Sequence, residues 1–164
     1  MDYYIREQTS LLSREMLVED HAGKRLFRVH GPLVRIRDEL RLDDSQGSEQ
    51  AWIKDPVLGD STKFEIYRAG AHVADVKTVA VGNLLEGYDL VVLAGGEPLR
   101  ARGNVFARDF SMTQQGRPAA RVRRHANAVE VSTQAGQDDV LLLAGVIAMA
   151  SMADLRARAT ARHS

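Results

Sequence analysis

The chain has 164 residues, 45% apolar and 27% charged, and its 22 basic side chains balance its 22 acidic ones. That length suits one domain with a full core, and the composition excludes a disordered chain and a multispanning membrane protein. Zero net charge removes the field that a nucleic-acid binder uses, and zero cysteines remove disulfides, thiolate metal sites, cysteine nucleophiles and palmitoylation.

The N-terminal residues Met1 to Glu7 lack the basic flank and apolar run of a signal peptide, and Tyr3 to Glu7 already alternate like a strand. A reducing, cytoplasmic location is therefore the expectation. Next come two segments that overlay: Met16 to Gly23 followed by Leu26 to Val29, and Leu40 to Gly47 followed by Ala51 to Ile53. In each, an Asp (Asp20, Asp44) opens a turn and a Gly (Gly23, Gly47) sits three residues later, where a left-handed backbone is needed. Both read as β-hairpins.

The pattern continues from Phe64–Tyr67 to Ala74–Val76 around Gly70, then from Tyr88–Leu93 to Pro98–Ala101 around Gly95-Gly96. Asp109–Thr113 and Ala119–Arg123 flank Gln115-Gly116, and Ala128–Thr133 forms a last strand. About twelve strands of this kind would close on themselves rather than stay an open sheet. The predicted fold is mainly β: a closed, roughly twelve-stranded antiparallel barrel of repeated hairpins.

After Asp138-Asp139 the composition changes to an apolar run from Val140 to Ala153. Acidic residues at the start and Arg156, Arg158 and Arg162 beyond it suit the two ends of a helix dipole, so the sequence predicts a helix over about 138–155. It is apolar on every face and must be surrounded by protein or lipid. Its fourteen residues fall short of the roughly 20 needed to span a bilayer, which favours a helix buried in the barrel. Leu141, Leu142, Leu143, Val146, Ile147 and Met149 are its predicted core residues. One domain over 1–155 is expected, followed by a basic, frayed tail over 156–164.

This order of elements resembles the LURP-one-related family, whose fold is shared with the Tubby C-terminal domain and the phospholipid scramblases. The matching stretches are Val18 to Gly31, Leu40 to Ile53, Phe64 to Tyr67, and Val129-Glu130-Val131 followed by Asp138 and Leu141 to Ala144. The resemblance implies a twelve-stranded barrel threaded by the terminal helix. Through the Tubby domain it also implies basic residues on the barrel surface that meet phosphoinositides.

No catalytic constellation is legible, so no enzyme is expected, and no cofactor. The histidines (His21, His30, His72, His125, His163) are scattered, without an i, i+4 pair or an acidic partner at ligand spacing, and no metal is expected. Asp43 to Gly47 lacks the alternating carboxylates and closing Glu of a calcium loop and reads as a turn. Gly95-Gly96 reads as a hairpin tip rather than a phosphate cradle.

Charge placement is the one functional signal. Residues 1–90 hold 12 basic and 16 acidic side chains, whereas residues 91–164 hold 10 and 6. With Leu99, Ala101, Ala120 and Val122 pointing inward, strand alternation sends Arg100, Arg102, Arg121 and Arg123 outward. These four are the candidate anion-binding residues, since guanidinium forks match phosphate oxygens. The expected function is a non-enzymatic binding or scaffold domain, peripheral to a membrane, whose partner is an anionic lipid surface or another protein. The alternative is a scramblase-like protein whose C-terminal helix inserts in lipid.

Overall fold

A computed structural model describes residues 1–9, 13–32, 39–56, 62–81 and 85–162. His163 lies outside them. Twelve strands precede one helix: β1 (Asp2–Thr9), β2 (Ser13–Glu19), β3 (Arg25–Pro32), β4 (Glu39–Asp44), β5 (Glu49–Lys54) and β6 (Lys63–Arg68). The second half comprises β7 (Ala71–Val81), β8 (Leu85–Val92), β9 (Leu99–Asn104), β10 (Asp109–Gln114), β11 (Arg117–Arg124), β12 (Val129–Thr133) and α1 (Asp139–Arg162). Each strand pairs antiparallel with its chain neighbours, and β1 pairs with β12, so the barrel is closed and has no free edge.

The two overlaid hairpins are the same structure built twice. Asp20 Oδ1 accepts the amides of Ala22 (2.9 Å) and Lys24 (3.0 Å), and Asp44 Oδ1 accepts those of Gln46 and Ser48 (both 2.9 Å). Gly23 and Gly47 both have φ of 81°, a region that costs a Cβ-bearing residue steric strain. The amide of Lys24 is the main reason that the Asp20 carboxyl lies below the usual carboxylate range.

Period-two alternation sends side chains such as Val18, Leu42, Ile53, Ile66, Val76, Leu90, Met112 and Val131 into the interior, where all are fully buried. All twelve strands contribute to this one core. The helix fills it: every residue from Leu141 to Met149 is buried, including all six predicted core residues. Because its apolar side chains point in every direction, only a surrounding wall can cover them. Gly145 lets the wall come close, since a Cβ there would lie 2.9 Å from Leu90 Cδ2.

Polar clamps fix the helix at both ends. Asp138 caps the N-terminus by accepting the Leu141 amide (3.2 Å) and is paired with Arg68 at the end of β6 (2.6 Å). Tyr3 of β1 donates to Asp139 (2.5 Å), and burial, reinforced by that carboxylate, raises the Tyr3 pKa well above its ordinary value. At the other end Arg108, in the β9–β10 turn, donates to Asp154 (2.8 Å). The helix does not stop at 155: it continues through Arg162, so the segment predicted as a frayed tail is helical to that point. Ala157, Ala159 and Ala161 are good helix formers, and Arg162 lies at the negative end of the dipole.

Candidate functional site

The basic face is carried by β9, β10 and β11. Alternation works as the sequence implies: Leu99, Ala101, Ala120 and Val122 are buried, Arg100 and Arg123 are exposed, and Arg102 and Arg121 are half-buried on the outer surface. β9 and β11 are not adjacent. β10 stands between them, and its Ser111 faces Arg102 on one side and Arg121 on the other. At about 4.8 Å per strand, the Arg102 and Arg121 backbones are roughly 10 Å apart. Arg100 lies beyond this row towards one end of the barrel and Arg123 beyond it towards the other, so the four form a diagonal band rather than a compact patch.

The two central arginines are already engaged. Arg102 Nη1 donates to the Ala101 (2.9 Å) and Tyr88 (3.3 Å) carbonyls and is 3.4 Å from Asp89. It lies over Gly87, where a Cβ would fall 2.5 Å from Arg102 Nη1. Arg121 donates to the Phe110 (2.6 Å) and Val122 (2.8 Å) carbonyls and to the Asp109 carboxylate. Arg100 and Arg123 have no hydrogen-bond or ion-pair partner among the described residues. Sequence spacing alone does not separate these roles, because a guanidinium reaches carbonyls and carboxylates one strand away.

A second feature is a cavity of about 230 Å³ at the barrel end nearest the β11–β12 connection. Ile5, Met16, Val146 and Ile147 line it, with Arg124 and His125 among its polar groups. The N-terminus of α1 lies at the opposite end, beside Arg68.

Three of the histidines have acidic partners, contrary to the sequence reading. His30 is 2.7 Å from Asp43 across β3 and β4, and His125 is 2.5 Å from Glu130. His72 Nε2 lies 2.7 Å from Asp75 Oδ1 and 3.6 Å from Glu65 Oε2. His72 and Asp75 are three apart, so strict alternation would place them on opposite faces. A bulge in the β6–β7 ladder, between Ile66 and Tyr67, restores both to the outside: Ile66 pairs with Ala74, while Tyr67 pairs with His72. No residue pattern marks this bulge, which is why the cluster is not legible in the sequence.

A closed antiparallel barrel filled by its own C-terminal helix, with charged groups on its outer wall and clamping both ends of the helix, is a β protein built around a helical plug. The family model for LURP-one-related proteins matches residues 1–150, and the chain belongs to that family. Among solved structures it is similar to an X-ray structure of a protein from Arabidopsis thaliana. The two share 15% sequence identity and a TM-score of 0.66, over 92% of this chain and 88% of that one, a likeness of fold. No curated protein matches the chain.

Proposed function

We propose that this LURP-one-related domain is a non-enzymatic binding module that meets an anionic phospholipid surface through the outer face of β9 to β11. The observation that carries the reading is the pair Arg100 and Arg123, exposed and unpartnered among the described residues on a face that also presents Arg102 and Arg121. Guanidinium groups without intramolecular acceptors have donors left for phosphate oxygens. Each basic residue near an anionic surface contributes about 1 kcal/mol, so the contact is weak and salt-sensitive.

The helix supports docking over insertion. By length and composition α1 could cross a membrane, yet two-thirds of its most apolar window (67%) is buried in the barrel. Insertion would require the barrel to lose its core.

The test is cosedimentation of the whole protein with vesicles of neutral lipid, with and without an anionic phospholipid, at low and physiological salt. Binding to the anionic vesicles only, lost in Arg100→Glu/Arg123→Glu, is the expected result. Equal binding by that variant, or no binding by the native protein at low salt, would overturn the lipid reading. Neither arginine holds the fold together, so a folding defect does not confuse the outcome.

A further inference from the structure

We infer that Glu65, His72 and Asp75 form a binding site for a divalent transition-metal ion of the zinc class on the outer wall of β6 and β7. One imidazole nitrogen and two carboxylate oxygens lie within 4.8 Å of one another. With metal–ligand bonds of about 2.1 Å, neighbouring ligand atoms in a tetrahedral site stand roughly 3.4 Å apart. The His72–Glu65 and His72–Asp75 separations of 3.6 and 2.7 Å lie on either side of that value. Small side-chain shifts bring all three into range. His72 keeps 29% of its side-chain surface exposed, which leaves an open side for water as the remaining ligand.

Three further observations distinguish this cluster from an ordinary group of surface charges. The Asp75 side chain is only 8% exposed, so its carboxylate is withdrawn from water and needs a cation. The carboxylate oxygens are divided between tasks: Glu65 Oε1 accepts the Tyr67 hydroxyl (3.1 Å) while Oε2 faces His72, and Asp75 Oδ2 faces Lys63 while Oδ1 faces His72. Outer partners that orient ligands in this way are a usual part of metal sites. The His72 ring is also stacked on Tyr67 (centroids 5.0 Å, 25°), and Tyr67 in turn packs on Trp52 (5.3 Å), so the imidazole is held by a row of rings across β5, β6 and β7.

The resident cation is Lys63, whose Nζ is 3.7 Å from Asp75 and 3.9 Å from Glu65. At 39% side-chain exposure it can swing into solvent, and a dication bound directly by three ligands replaces it. The ligand set suits zinc better than magnesium or calcium, which take oxygen ligands and more of them.

The experiment is isothermal titration of chelator-treated, untagged protein with Zn²⁺, and in parallel with Mg²⁺. One Zn²⁺ site is expected, with no binding of Mg²⁺. His72→Gln abolishes it, Tyr67→Phe weakens it about tenfold by releasing Glu65, and Lys63→Met tightens it by removing the competing charge. The Lys63→Met result separates a metal site from a simple ion-pair network, which that substitution would only weaken. The inference is overturned if Zn²⁺ fails to bind both the native protein and Lys63→Met. Undiminished binding in His72→Gln overturns it as well, because the ion then sits at another pair such as His30 and Asp43.

Discussion

The interior of the barrel and its outer wall between β9 and β11 are made from the same strands, yet they answer to different constraints. Inside, Leu142, Leu143 and Met149 of the helix meet inward side chains of the wall with no solvent left between them. Outside, Arg100 and Arg123 have no hydrogen-bond or ion-pair partner among the described residues, and even the engaged Arg102 and Arg121 rest on backbone carbonyls at the surface. Alternation along a strand therefore separates core packing from surface charge residue by residue. Ala101 is buried in the core, while Arg100 on one side of it points outward without a partner among the described residues and Arg102 on the other is held by the Tyr88 and Ala101 carbonyls.

Damage to the interior should have the largest effect. Leu142→Ala removes a side chain that is 1% exposed, and such truncations cost about 2–5 kcal/mol. Chemical denaturation should show that loss, a large part of a small domain's stability. A cost below about 1 kcal/mol would mean that the helix is not the structural centre of the barrel.

The next effect lies on the boundary between the two regions. Tyr3→Phe deletes the hydrogen bond to Asp139 that ties β1 to the start of the helix, at about 1–2 kcal/mol. The same residue predicts an alkaline response. Burial and Asp139 raise the Tyr3 pKa in the folded state, so above its unfolded value, about 10, the unfolded chain releases this proton first. This contribution to stability is fully present below about pH 10 and falls as pH rises beyond it. Denaturation midpoints at pH 9 and pH 11 should therefore differ more in the native protein than in Tyr3→Phe.

A smaller effect sharpens the outside. A side chain at Gly87 would collide with Arg102 Nη1 and stand 3.0 Å from the Ala101 carbonyl, so Gly87→Val displaces the guanidinium that lies there. The expected cost is about 1 kcal/mol, the usual size of a lost hydrogen bond, with far-ultraviolet circular dichroism unchanged. Smallest of all should be Arg100→Glu/Arg123→Glu, whose effect on stability stays within about 0.5 kcal/mol, as for other surface substitutions away from special contacts. If that pair of charges instead cost several kcal/mol, the outer wall would be structural, and the separation drawn above would fail.

The fold class, the turns at Asp20–Gly23, Asp44–Gly47, Gly70, Gly95-Gly96 and Gln115-Gly116, the outward direction of the four arginines and the burial of the helix were legible in the sequence. These features are local: an Asp and a Gly three apart bend the chain, period-two alternation assigns faces, and a stretch apolar on all sides requires enclosure. Even the β7 strand was visible only in its middle, at Ala74 to Val76, because His72 and the bulge beside it interrupt the alternation that marks a strand. Which charges meet was set by the packing of the strands. It set β10 between Arg102 and Arg121, turned those two onto carbonyls, and brought Glu65, His72 and Asp75 together through one irregular step in the register. The reason is geometric: contacts between strands depend on register, and one extra residue moves a side chain to the other face while leaving the sequence pattern on either side intact.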